Sequence, residues 1–292
     1  MAGGLKEVRS RITSVQSTRQ ITSAMKMVSA AKLRRAQDAI TRMRPYASKL
    51  QEILSNVSAS LDASEGIYSV QREVNNVLIV AITSNRGLCG AFNNNVIKEA
   101  KRLIAEDYAN HNVRILPLGK KASDAFNSTG LLHKEGFGDT PYTIFDDLNF
   151  EDTSKIGTEI MEQFVDGKFD KVVIIYNQFK NAAVQILSTE QMLPVVPVQS
   201  EEQASASEYI FEPSKAEIVE TMIPNSIRLQ LFKALLDSHA SEHGARMTAM
   251  HKATDNATEL IRELKLTYNK ARQASITNEI LEIVGGAEAL NG

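Results

Sequence analysis

The chain has 292 residues, 43% of them hydrophobic and 23% charged, with a formal net charge of −2. That length allows one or two domains whose core needs no covalent staple, and the near-neutral balance gives no global attraction to nucleic acid. The single cysteine, Cys89, excludes an internal disulfide and a cysteine-only zinc site, and no apolar run approaches the roughly 20 residues of a membrane helix.

From Met1 to Leu5 the chain runs directly into a charged helical pattern, without an apolar signal core or a long Arg/Ser-rich presequence. The expected location is therefore the bacterial cytoplasm rather than an exported or organellar compartment. Residues 1–65 read as one long helix whose only proline is Pro45. Leu5, Val8, Ile12 and Val15 recur at spacings of three and four, and Leu33, Ala36, Ile40 and Met43 resume the same register. Between these runs the register falls on Arg19, Thr22, Lys26 and Ser29, while apolar side chains stand aside at Ile21, Met25 and Val28. The stripe is expected to swing around the helix there, or the pairing to change.

Residues 1–50 hold eleven Lys/Arg against two acids, a segment charge of +9 that leaves −11 to the remainder. A helix so charged suits a nucleic acid, a membrane surface or an acidic protein, besides being simply solvated. Residues 1–45 contain no aromatic side chain, so the stacking platform of single-strand binders is missing and an acidic protein fits better.

Residues 75–200 read as an α/β domain. Val77–Thr83, Val113–Leu118 and Lys171–Tyr176 are buried-strand runs, with helical patterns over Ala91–Tyr108 and Thr153–Phe164, so the sheet is expected to be largely parallel. A last strand is expected within Ala182–Leu187, and the polar stretch Ser200–Glu208 is expected to be a linker. Thr83-Ser-Asn-Arg-Gly-Leu-Cys-Gly90 is a glycine-containing turn between strand and helix, where phosphate groups often bind. It has neither the GxxxxGK[ST] nor the GxGxxG spacing, which leaves a structural turn as the ordinary reading and a small buried thiol as the ordinary role of Cys89.

Residues 209–292 read as a second long helix, free of proline after Pro224. Met250, Ala253, Ala257, Leu260, Leu264, Thr267, Ala271 and Ala274 form its heptad seam. His239-Ala-Ser-Glu-His243 matches the H-x-x-E-H spacing of zinc hydrolases. A catalytic zinc needs a third protein ligand, and the downstream glutamates lie on the same helix, with even Glu259 roughly 24 Å further along it. No metal or cofactor is expected. The fold class is thus α/β: a long antiparallel coiled coil of the N- and C-terminal helices with an inserted Rossmann-like domain. At 1.5 Å per residue the two helices would span roughly 80 Å and 105 Å.

Four blocks, in order along the whole chain, resemble the gamma-subunit family of bacterial-type rotary ATP synthases: Ile21–Arg35, Thr83–Asn93, Glu242–Met250 and Asn256–Gly286. The resemblance implies a non-catalytic rotor of a proton-translocating ATP synthase. Its coiled coil would enter the hexameric ring of alpha and beta subunits, and its α/β foot would rest on the c-subunit ring beside the epsilon subunit. It implies a peripheral position on the cytoplasmic face of the bacterial inner membrane, and no nucleic acid. By similarity Met25 and Lys26 would meet an acidic hinge loop of the beta subunits. Arg246, Arg272, Gln273, Thr277 and Glu279 would make polar catches with beta-subunit loops. Ile280, Leu281, Ile283, Val284 and Ala287 would turn in an apolar sleeve. The paired regulatory cysteines of chloroplast-type relatives have no counterpart here.

Overall fold

The structure, a computed structural model, describes residues 2–58, 67–195 and 215–291. The expected linker at 200–208, and the expected helical residues at 59–65 and 209–214, lie outside the described residues. The elements in chain order are α1 (Ala2–Ser58), β1 (Asn76–Ile82), α2 (Phe92–Ala105), β2 (Asn112–Leu118), α3 (Lys120–Phe126), α4 (Thr140–Thr143), α5 (Phe150–Val165), β3 (Lys171–Phe179), β4 (Gln185–Leu193) and α6 (Lys215–Asn291). They form two compact units, Met1–Ser29 with Met247–Gly292, and Ala30–Arg246.

In the unit Ala30–Arg246 a four-stranded sheet runs in the order β2-β1-β3-β4. β1 is parallel to both neighbours, and β4 is antiparallel to β3. Every residue of β1 from Val77 to Ile82 is buried, as a strand covered on both faces requires. Val77, Ile79 and Ala81 pack with Val96, Ala100 and Leu103 of α2 and with Ala122 and Phe126 of α3. Leu78, Val80 and Ile82 pack with Ile156, Ile160 and Phe164 of α5 and with Ile227, Leu231, Ala234 and Leu235 of α6. The early part of α6 is therefore a layer of the α/β unit, buried at helical spacing.

The three expected strands and both expected helices are present. The last strand is longer and later than its expected place within 182–187. Its middle is Ser188-Thr-Glu-Gln191, polar because β4 lies at the sheet's edge and is only partly covered. Tyr176 donates to Glu190 Oε1 at 2.5 Å and Gln230 donates to Glu190 Oε2 at 3.3 Å, so this acid belongs to an internal network.

In the other unit α1 and α6 run antiparallel: Thr22 faces Thr254, and four residues further on Lys26 faces His251. On α1 the half-buried or buried positions are Leu5, Val8, Ile12, Val15, Arg19, Thr22, Lys26 and Ser29, with Gln16, Ser23 and Met25 also half-buried beside them. The seam thus continues through the polar residues without swinging. Ile21 and Val28, expected to carry the stripe, are 60% and 58% exposed. Burial of the small hydroxyls is inexpensive because each bonds a carbonyl of its own helix, Thr22 to Arg19 O at 3.1 Å and Ser29 to Met25 O at 2.8 Å.

On α6 the best-buried heptad is Met250, Thr254, Ala257, Ile261, Leu264, Tyr268, Ala271, Ser275 and Asn278. Every second position agrees with the expected seam, and the expected Ala253 and Leu260 are also half-buried, beside Thr254 and Ile261. Thr267 and Ala274 are exposed, while Tyr268 and Ser275 take their places. Thr254 Oγ1 lies 2.8 Å from both Thr22 Oγ1 and Met250 O, and its one hydrogen is shared between these two acceptors, which makes this polar layer a register pin of the kind coiled coils use.

Candidate partner interface and the anchorage of helix α6

The turn after β1 spends its polar groups on itself. The Ser84 backbone N–H donates to Asn93 Oδ1 at 2.9 Å, and the Ser84 hydroxyl donates to Arg86 O at 2.6 Å. Asn93 Nδ2 donates to Ser84 Oγ at 2.9 Å and to Cys89 Sγ at 3.2 Å. Asn85 accepts from the Lys120 N–H at 2.9 Å and donates to Tyr142 O at 2.6 Å. Cys89 is 1% exposed and burial pushes its thiol up, so it stays protonated and inert. The turn braces the loop and places Leu88, at φ 64° and 64% exposed, on the surface.

Open α/β sheets bind ligands beyond the carboxyl ends of their strands, where successive connections leave in opposite directions. Here that position lies between the loops after β1 and β3, and α6 occupies it. Arg246 Nη2 donates to the carbonyls of Arg86 and Gly87, each at 3.3 Å. Gly244 faces the loop after β3 so closely that a Cβ would stand 3.2 Å from Ala182 Cα and O.

Four side chains of α6 form a buried polar chain. Arg246 Nη1 pairs with Glu242 Oε1 at 2.6 Å, and Arg246 is 7% and Glu242 8% exposed. Burial raises the Glu242 carboxyl and Arg246 opposes the shift. Arg246 Nη1 also lies 3.3 Å from His243 Nδ1. Because a guanidinium only donates, Nδ1 accepts, and neutral His243 carries its hydrogen on Nε2. That hydrogen points to His239 Nε2 at 3.1 Å. Burial lowers His243 to about 3 and His239 to about 4, the former with help from its histidine neighbour and the latter with help from Lys32. The nitrogen that a metal would need on His243 thus bears a proton held by its own partner. Among the described residues no group of three His, Cys, Asp or Glu is placed to hold an ion.

The residues expected at a partner surface fall into three sets. Met25 and Lys26 are half-buried, with Lys26 Nζ 3.3 Å from His251 Nδ1. Ile21, Met25 and Val28 share one face at spacings of four and three, with Ile21 and Val28 exposed and Met25 half-buried at the edge of the seam. Arg272, Gln273, Thr277 and Glu279 are exposed, and Thr277 donates to Gln273 O at 3.0 Å while Ser275 Oγ donates to Glu279 at 3.4 Å. Ile280, Leu281, Ile283 and Val284 are 55%, 62%, 72% and 50% exposed, and Ala287 is exposed too. Arg246 differs from the rest, being buried with its donors engaged inside the α/β unit.

A family profile described as ATP synthase matches residues 4–290. The ATP synthase gamma chain of Flavobacterium johnsoniae is 63% identical over 289 residues, covering 99% of each chain. Among solved structures, a chain of the Euglena gracilis mitochondrial ATP synthase, OSCP/F1/c-ring in rotational state 3, is 25% identical with a TM-score of 0.69. It covers 99% of this chain and 95% of its own. A chain of the Tetrahymena thermophila mitochondrial ATP synthase central stalk and c-ring is 25% identical with a TM-score of 0.57, covering 80% of this chain and 99% of its own.

Proposed function

We propose, because this chain belongs to the ATP synthase gamma-chain family, that each structural unit has its own task within the rotor. The gamma chain is a non-catalytic subunit that couples ion flow in the membrane sector to the catalytic alpha/beta head by rotation. The unit of paired helices is the shaft that turns within the head, and the α/β unit is the foot on the c-ring, next to the epsilon subunit. No helix among the described residues is long and apolar enough to cross a membrane, and attachment is peripheral, on the cytoplasmic face.

The observation that supports this assignment of contacts most strongly is the stripe Ile21, Met25 and Val28. Two of its three members are well exposed while polar residues fill the chain's own seam, so the stripe's apolar character serves something outside the pair. Lys26 beside it, on a strongly basic helix, fits an acidic loop of the beta subunits. Arg272, Gln273, Thr277 and Glu279 offer polar catches higher on α6. The apolar turns from Ile280 to Val284 form a bearing surface, because apolar contact is non-directional and leaves few hydrogen bonds to break at each step.

The test is Ile21→Glu with Val28→Glu in the full chain, coexpressed with alpha and beta subunits. Two apolar anchors of this size are expected to weaken assembly or ATP turnover by about tenfold or more, while the isolated chain unfolds at the wild-type denaturant concentration. Assembly and turnover equal to wild type would refute the placement of this face against the head.

A further inference from the structure

We propose that Arg246, held by Glu242 and His243 with His239 behind them, is a positioning residue that keys α6 to the sheet and fixes the angle at which rotation enters the helix; this rests on the rotor reading above.

A helix seated only by apolar contacts can roll, since such contacts have no direction. The apolar part of the seat of α6, Ile227, Leu231, Ala234 and Leu235, is of that kind, and the directional bonds beside it, Arg228 to Thr158, Gln230 to Glu190 and Gln191 O, and the Phe179 backbone to Asp237, lie earlier along the helix than Arg246. Resistance to rolling where the helix leaves the sheet needs further directional bonds there. Arg246 supplies them through a planar guanidinium that meets two successive carbonyls, Arg86 O and Gly87 O, and the Glu242 carboxylate. The carbonyls are themselves fixed, because Ser84, Asn85 and Asn93 brace the loop from within. His243 Nδ1 accepts from the guanidinium, and His239 accepts from His243, so the fork has one orientation along a continuous chain of bonds.

Gly244, between these residues, lets the helix approach the Ala182 backbone of the loop after β3. The helix is thereby fixed on both sides of the crevice that other open α/β sheets leave for a ligand. The net stability gained from a buried ion pair is small; what the arrangement specifies is a single angular setting. It also gives His239 and His243 a role, as the back of the key.

The test uses the full chain assembled with alpha and beta subunits, immobilised through beta, with a probe on the α/β unit. The angular variance of the probe during ATP-waiting pauses reads the torsional stiffness between head and foot. Arg246→Met is expected to raise the variance by about two-fold or more, as when a local brace opens. Arg246→Lys should restore only part of the stiffness, because a point charge cannot span two carbonyls and a carboxylate. Should Arg246→Met fail to assemble, His243→Leu, which removes the Nδ1 acceptor, decides by the same reading. Wild-type variance in an assembled, rotating variant would overturn the key. A wild-type assembly that hydrolyses ATP without turning the probe would instead overturn the rotor reading.

Discussion

Replacing Asp237 by asparagine should stabilise the chain at neutral pH. Asp237 is 6% exposed, and burial pushes its carboxyl from 3.8 up to about 6 against the opposing charges of Lys233 and Arg44 and the backbone bond from Phe179. A carboxyl whose folded value lies above its unfolded value holds a proton in the folded chain that the unfolded chain has lost. Stability therefore falls as pH rises from about 4 to about 6, and the deficit is constant above that. A shift of that size corresponds to about 3 kcal/mol, which solvent screening reduces to about 1–2 kcal/mol.

Asparagine keeps the acceptor for Phe179 and carries no charge. Urea unfolding of the full chain, variant against wild type at each pH, removes the contribution of other titrating groups. The expected gain is about 1–2 kcal/mol at pH 7.5, shrinking towards zero near pH 4. A variant less stable than wild type at pH 7.5, or a gain that does not change with pH, would refute the reasoning.

Three further outcomes are expected. Gly119→Ala should cost about 3 kcal/mol or more, read as a lower urea midpoint, since φ is 110° and the new Cβ would overlap Thr83 O at the β2–α3 junction. The histidine pair should weaken the α/β unit in acid. Its folded values near 4 and 3 lie below the ordinary 6.5, so its support is complete above 6.5 and is lost as pH falls towards 4. A His239→Leu, His243→Gln double variant should lose less stability than wild type between pH 7 and 4.5. Thr22→Val should cost about 1 kcal/mol by leaving Thr254 without its cross-helix partner, and adding Thr254→Val should recover part of it; a thermal-melt double-mutant cycle with no coupling would contradict the register pin.

Much of the fold was legible because its strongest signals are local. The runs at 77–83, 113–118 and 171–176 are continuous apolar strands, and only a sheet covered on both faces calls for them. The α1 seam was also legible in register, down to Ser29. Its polarity misled, because a hydroxyl that bonds its own helix can be buried, whereas pattern reading assigns the seam to the nearest apolar residue. The same effect shifted the far end of the α6 seam by one place: Ser275 packs where Ala274 had looked the better candidate. β4 was hidden by Glu190 and Gln191, whose partners come from Tyr176, Gln230 and Pro194 rather than from the strand itself.

The anchorage was the least legible part. Arg246 belongs to a conspicuous block, but its partners Arg86 and Gly87 lie 160 and 159 residues away in sequence and contribute only backbone carbonyls, which no side-chain pattern records. Gly244, a glycine inside a helix, was the available signal of close approach. The spacing of His239, Glu242 and His243 matched a zinc-hydrolase motif but lacked a third ligand, and what it builds instead, a chain of bonds to Arg246, leaves no mark in the motif itself.

The central claim is that this chain turns as the shaft of an ATP synthase. Its most direct test is coexpression with the matching alpha and beta subunits, purification through a tag on beta, and measurement of stoichiometry together with Mg-dependent ATPase activity. One copy is expected with three alpha and three beta subunits, with activity collapsing when the chain is omitted. A chain that stays free, with activity indifferent to its presence, would contradict the account.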